Sequence, residues 1–311
     1  MEKDDKIIFL DSPIKEMIWG GKYFKDVLKI TDVDKNFGEF WTISGYPGYS
    51  SVVKNGKYKG YSLDKLYKEH HELFSSSYVD EFPILVKLIA TSADLSVQVH
   101  PDDEYAKREG DFGKTESWLI LSSDNGSIVY GHNAKTKEEL TKKARNNDFS
   151  FLSKVPVSRG NFVKVPSGTI HALGSGLVLL EVQQSSNVTY RLYDYDRVGL
   201  DGKKRELHLD KALDVIRVPN EEKLDSFNYL DNPDDFVLWD NEFFNIKLVN
   251  VRHKIRFVNS DHKYYLCTVA SGYFKYEDRI IKVGESFIVT SLCDKEEVQG
   301  KGKLLIVESY K

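Results

Sequence analysis

Four side chains able to hold a divalent cation stand at Gln98, His100, Glu116 and His171. They lie in the stretches Leu95-Ser96-Val97-Gln98-Val99-His100-Pro101-Asp102, Gly113-Lys114-Thr115-Glu116 and Gly168-Thr169-Ile170-His171-Ala172. In an extended strand successive side chains alternate faces, so Leu95, Val97 and Val99 share one face while Ser96, Gln98 and His100 share the other. If that polar face points into a barrel, an amide oxygen and an imidazole nitrogen are presented side by side. A carboxylate and a second imidazole from neighbouring strands then complete four ligands. A lone Gln-x-His is a weak signal, because a histidine beside an apolar stripe is usually a hydrogen-bonded core or surface residue, so the weight falls on the conjunction of the three stretches. These donors suit Zn²⁺ first, with Fe²⁺, Mn²⁺ and Co²⁺ compatible. Bound by one carboxylate, such an ion keeps a net positive charge of about one unit and stabilises negative charge on an oxygen it draws in.

The elements that must position these residues read as sheet. With two Met against 18 Tyr and 17 Phe, the core is expected to be aromatic and β-branched rather than a helical bundle. Strands are predicted over Ile7 to Leu10, Glu39 to Ile43, Ser51 to Lys54 and Phe82 to Ala90, with Pro13 and Trp19-Gly20-Gly21 read as a turn region. Short strands follow at turn-separated spacing: Ser117 to Ser122, Ser127 to Tyr130, Asn161 to Val165, Thr169 to Leu173, Leu177 to Gln183 and Thr189 to Tyr193. From Phe243 the rhythm resumes with Phe244 to Val251, Tyr264 to Ala270, Tyr273 to Tyr276, Arg279 to Lys282, Ser286 to Thr290 and Leu304 to Glu308. The expectation is an all-β protein with minor helices, built as two jelly-roll barrels. Residues 1–230 form the metal-binding catalytic barrel and 231–311 a second, non-catalytic one, with 221–235 as the linker. The second holds only His253 and His262 as candidate imidazoles.

Helical spacing after Ser62 and the capping-box pattern at Thr136 predict two short helices, and Leu209 to Arg217 a third. Pro101-Asp102-Asp103-Glu104 reads as a helix start rather than a second cation site. His70 and His71 are adjacent, and helix neighbours point about 100° apart, so a solvated helix fits them better than a shared ion. Lys87, flanked by apolar residues in Phe82 to Ala90, is costly unless its ammonium reaches water at a rim or an anion.

Charge and composition narrow the partners. Forty-four basic and 48 acidic residues give −4, interspersed with no basic stripe, so nucleic acid is not expected. No apolar run approaches the roughly 20 residues that span a bilayer, and no membrane role is expected. Met1 to Lys6 is mixed in charge and no apolar h-region follows, so a cytoplasmic location is expected. Cys267 and Cys293 are expected to be buried thiols rather than a bridge or a metal pair.

Taken in order, Gln98-Val99-His100-Pro101-Asp102, Gly113 to Glu116, Val165-Pro166-Ser167-Gly168-Thr169-Ile170-His171-Ala172 and Tyr190-Arg191-Leu192-Tyr193-Asp194-Tyr195-Asp196-Arg197 resemble type I mannose-6-phosphate isomerases of the short bacterial kind. Weaker echoes occur at Trp19-Gly20-Gly21 and Gly38-Glu39-Phe40-Trp41. The resemblance implies two cupin-type barrels, one Zn²⁺ per chain on Gln98, His100, Glu116 and His171, and a phosphorylated hexose as substrate. The implied reaction is aldose-ketose isomerisation of mannose 6-phosphate and fructose 6-phosphate through an enediolate. It also implies Arg191 as a catalytic cation, Lys114 at the same site, and Ser96 and Lys87 toward the substrate phosphate. The base stays open between Lys114 and a hydroxide at the ion. Two departures stand out: Thr42 follows Trp41 where many relatives carry an acid, and a helical insertion of longer relatives is missing. Rival readings are a cupin oxygenase, against which Gln98 argues, and a non-catalytic sugar-binding cupin, against which the full residue set argues.

Overall fold

The computed structural model describes residues 6–75, 80–258 and 263–310, so His262 lies outside the described residues. The chain gathers into two compact units, one of Met1–Ile14, Phe40–Leu88 and Tyr229–Lys311, the other of Lys15–Glu39 and Ile89–Asn228. The first unit is therefore discontinuous in sequence. The architecture is mostly antiparallel strands with short helices, as expected. Among the described residues the ladders remain open in strand order, without closing into hydrogen-bonded barrels.

In the unit that includes the C-terminal strands, a nine-stranded sheet runs in the order Phe236–Asp240, Phe244–Val251, Glu296–Ser309, Tyr265–Tyr276, Ser286–Val289, Ile7–Asp11 and Val52–Val53. Lys254–Phe257 pairs with Glu296–Ser309, and Arg279–Lys282 with Tyr265–Tyr276. Its core is aromatic and β-branched: Phe9, Phe274, Phe287, Val269, Val298 and both cysteines are buried together. The cysteines are free thiols, as expected. Two expected strands, Tyr264 to Ala270 and Tyr273 to Tyr276, are one strand, Tyr265–Tyr276, whose register shifts between Val269 and Ser271. An irregularity of this kind breaks the alternation that sequence reading relies on without breaking the strand.

The other unit stacks two antiparallel sheets. One contains Phe162–Val165, Glu116–Ser123 and Leu177–Gln184 in that order. The second runs Tyr190–Tyr193, Val97–Val99, His171–Leu173, Ser127–His132 and Leu152–Pro156. Ile120, Val163 and Leu179 of the first meet Ile128, Tyr130 and Leu173 of the second in one buried cluster. The outer face of the second sheet is covered by the helices Lys137–Arg145 and Leu209–Val215, through Leu140, Ala144, Ala212 and Leu213.

Two local expectations change. Trp19-Gly20-Gly21 is the end of the strand Ile14–Gly21, not a turn. A Cβ on Gly20 would lie 2.6 Å from the Asn36 carbonyl oxygen, so this glycine marks a close backbone approach. His70 and His71 do not share a helix: Leu63–Glu69 ends at His70, and His71 opens a 3₁₀ turn. His70 instead packs 4.5 Å from the Tyr58 ring and bonds Glu72 at 3.1 Å. Ser62 stands at the N-cap of that helix without a side-chain capping bond, whereas the Thr136 side chain does accept from Glu139 N at 3.2 Å.

Candidate active site

Gln98 is the middle residue of the short strand Val97–Val99. Val97 and Val99 are buried among Leu140, Phe151, Ala212 and Leu213, so alternation turns Gln98 to the inner face of the stacked sheets. Leu95 lies outside this strand and packs in the other cluster, so the shared face expected for Leu95, Val97 and Val99 holds only for the two valines. In the ladders Gln98 stands opposite His171 on one side and Arg191 on the other. One row across three strands therefore carries an imidazole, an amide and a guanidinium. Ser96 and His100 flank the strand, both buried, with Ser96 Oγ 3.4 Å from Gln98 Oε1.

Glu116 enters from the other sheet, where it begins Glu116–Ser123 and lies opposite Val165 and Gln183. The segment that delivers Lys114 and Glu116 is held against the turn after His100. Lys114 N donates to the Pro101 carbonyl at 2.9 Å, and a Cβ on Gly113 would lie 2.4 Å from the Asp102 backbone. Asp102 caps the helix Asp103–Ala106 by accepting from Tyr105 N at 2.8 Å. Asp103 accepts from Gly113 N at 2.8 Å and from Gln184 Nε2 at 2.9 Å. The acidic cluster thus caps and braces.

At the centre, His100 Nε2 lies 3.6 Å from Glu116 Oε2 and His171 Nε2 lies 3.3 Å from Glu116 Oε1. All three side chains are 1% exposed, and their potential ligand atoms fall within 4.8 Å of one another. His100 Nδ1 sits 2.8 Å from the Val188 carbonyl and His171 Nδ1 2.9 Å from that of Thr169. A carbonyl only accepts, so each Nδ1 carries the hydrogen, which leaves Nε2, on the side facing Glu116, as the nitrogen able to ligate. Burial pushes His171 down to about 4, so the ring is neutral and ready to ligate at neutral pH. Gln98 Nε2 lies 3.3 Å from His171 Nε2, and a half-turn of the amide presents Oε1 in its place.

Lys114 Nζ lies 2.6 Å from Glu116 Oε2 and 3.0 Å from His100 Nε2. Its ammonium is a positive charge standing among the converging donors, which fits a site built for a cation. Arg191 is half-buried, and its Nε is buried with no hydrogen-bond partner among the described residues. Burial lowers the pKa of this guanidinium, with the Arg205 charge adding to the shift. A surface pairing of Arg191 with Asp194 or Asp196 is not found. Asp194 is held by Arg197 at 2.8 Å and by Arg205, and Asp196 by Lys204 at 2.7 Å. The Arg191 backbone is fixed by His208, whose N donates to the Arg191 carbonyl at 2.8 Å.

Lys87 belongs to the other compact unit, in the fully buried strand Ile84–Ala90. It is 5% exposed with Nζ 5.1 Å from the Trp41 ring centroid, a cation over an aromatic face. Thr42, the departure beside Trp41, is buried and donates to the Val86 carbonyl at 3.3 Å. Sequence reading passed over Glu181, which accepts from Trp118 Nε1 at 3.0 Å; Trp118 in turn stands edge-on to His171 at 5.5 Å. The available signal was one acid inside the apolar run Leu177–Gln184.

The model of the type I phosphomannose isomerase catalytic domain matches residues 7–116. A mannose-6-phosphate isomerase of Streptococcus mutans is 48% identical over 214 residues, covering 68% of each chain. A putative mannose-6-phosphate isomerase of Bacillus subtilis, YvyI, is 37% identical over 96% of this chain and 98% of its own. The crystal structure of a Bacillus subtilis mannose 6-phosphate isomerase superposes with a TM-score of 0.85 at 35% identity, over 97% of this chain and 99% of that one. With near full-length identity of this order, the same architecture, and two imidazoles and a carboxylate gathered where its motifs fall, the chain belongs to the type I mannose-6-phosphate isomerase family.

Proposed function

We propose that this protein is a metal-dependent aldose-ketose isomerase that interconverts mannose 6-phosphate and fructose 6-phosphate through an enediolate. The observation that carries the reading is the buried convergence of His100, Glu116 and His171 beside the Arg191–Gln98–His171 row. Gln98, His100, Glu116 and His171 are the proposed ligands of one Zn²⁺ per chain. The fixed Nδ1–carbonyl contacts of both histidines and the single carboxylate support that donor set. When bound, the ion supplies Lewis acidity toward a hydroxyl or carbonyl oxygen of the sugar.

Isomerisation moves a proton from C2 to C1 while negative charge spreads over two adjacent oxygens. A planar guanidinium can donate two hydrogen bonds to such a pair, and the partly unpaired donors of Arg191 suit it to that charge. Lys114 holds transferable protons within reach of His100 and Glu116, at the place where a proton must be handled. Ser96 is proposed to take the phosphate end by its hydroxyl beside Gln98, and Lys87 keeps, as a proposal from the family resemblance alone, a role toward the substrate phosphate. The segment 231–311, without a comparable donor set among its described residues, is proposed as the non-catalytic barrel. A cytoplasmic enzyme of carbohydrate metabolism is the setting that fits this substrate; no helix among the described residues is long and apolar enough to cross a membrane.

Metal analysis of the purified protein, paired with a coupled assay on mannose 6-phosphate, tests the reading. The expected result is about one zinc per chain, with turnover lost on chelation and restored by zinc. Turnover that survives complete chelation, or a stoichiometry near two, rejects it.

A further inference from the structure

The sheet built from the C-terminal strands carries a second concentration of charge that the isomerase reading does not use. Along Tyr265–Tyr276, alternation buries Phe274 and Tyr276 and turns Tyr273 and Lys275 outward. Along Glu296–Ser309 it buries Val298 and exposes Gln299 and Lys301. The antiparallel register sets Tyr273 opposite Lys301 and Lys275 opposite Gln299. Lys282 lies opposite Tyr273 on its other side, and Lys254 opposite Gln299. Arg252 and His253, in the turn between Phe244–Val251 and Lys254–Phe257, close one end, where Gly300 N donates to the His253 carbonyl at 2.8 Å. The result is an open cavity of about 660 Å³ lined by Arg252, His253, Tyr273, Lys275, Gln299 and Lys301.

Among the described residues no carboxylate lines this cavity. Glu297, the acid next along the same strand face, is held by Lys254 at 2.9 Å and Arg256 at 3.0 Å. Among the described residues Arg252, Lys275 and Lys301 form no ion pair. In a chain of net charge −4 this is a local inversion of sign. Like charges on adjacent strands repel, and an anion bound between them relieves that repulsion. Lys275 and Lys301 are a diagonal pair on neighbouring strands, about 7–8 Å apart at Cα. A single phosphate meets one end of this pair, whereas linked phosphates can reach both together with Arg252. Tyr273, 62% exposed, offers a ring and a phenol beside them, and Gln299 an amide.

We propose that this face is a binding site for a small polyanion with two or more linked phosphates, the chemistry shared by nucleoside di- and triphosphates and inorganic oligophosphates. The test is calorimetric titration of the zinc-loaded protein with tripolyphosphate and with ATP, beside the Lys275→Ala/Lys301→Ala double variant. Arg252→Ala, in a turn outside the ladder, serves as a second variant. The parent is expected to bind both ligands, more weakly as salt rises, and each variant to bind about tenfold more weakly or worse while keeping isomerase activity. Tyr273→Ala separates the two sources. Selective loss of ATP binding assigns the base to the ring, and equal retention of both assigns recognition to the linked phosphates alone. Unchanged affinity in both charge variants overturns the proposal, as does heat that merely tracks loss of zinc to the chelating ligand. Binding of single-stranded DNA that is tighter than tripolyphosphate and grows with length overturns it in favour of a nucleic-acid surface.

Discussion

Arg191 lies directly opposite Gln98 in the antiparallel ladder between Tyr190–Tyr193 and Val97–Val99. The pairing sets the Arg191 backbone beside that of Gln98, while Tyr190 and Leu192 anchor the alternate face in the core. Asp194 is held by Arg197 and Arg205, and among the described residues Arg191 forms no ion pair with it. Arg191→Ala is expected to reduce kcat by about 10²-fold or more, the typical loss for one oxyanion donor, with zinc still bound. Arg191→Lys restores little, because a point charge does not reproduce the planar fork. Measuring kcat, KM and zinc content for both variants checks this; activity that falls only in step with zinc removes Arg191 from the chemistry.

Glu116 is the one carboxylate among the proposed ligands and belongs to none of the hydrophobic clusters described above. Glu116→Gln is expected to lower both zinc content and activity while the circular dichroism spectrum stays that of the parent. Full metal retention with full turnover would take Glu116 out of the site.

Lys87, buried over Trp41, is expected to act on binding more than on the chemical step. Lys87→Ala should raise KM for mannose 6-phosphate more than it lowers kcat. An unchanged KM leaves Lys87 with a packing role only.

Burial holds His171 at about 4, below its ordinary value, so folding favours the neutral ring. With zinc chelated, no proton is taken up at this residue on unfolding above the unfolded-state value near 6.5. As pH falls from there toward 4 the unfolded chain binds a proton that the native ring refuses, and stability declines; below about 4 the loss levels off. The thermal midpoint of chelated protein is expected to drop between pH 6.5 and 4, and less so in His171→Gln. Equal slopes for the two proteins would show that His171 does not carry this dependence.

The sequence by itself picked out the candidate ligands and the strand that carries Gln98, though His100 lies just beyond that strand's end. His100, Glu116 and His171 could be picked out together because a strand's two-residue period and a few donor types narrow the candidates, and the fold brings these three side chains within reach of one another. The cap at Asp102 and the helix after Thr136 were legible because capping is local chemistry, decided within four residues. What only the tertiary structure decided is non-local. No spacing places Arg191 and His171 on either side of Gln98, since ladder register joins segments more than 70 residues apart in the case of His171. Nor does any local signal show Asp103 bracing Gly113, Glu181 reaching Trp118, or Met1–Ile14 and Phe40–Leu88 joining Tyr229–Lys311. Those outcomes depend on which buried faces meet, and apolar alternation says that a face is buried without saying against what.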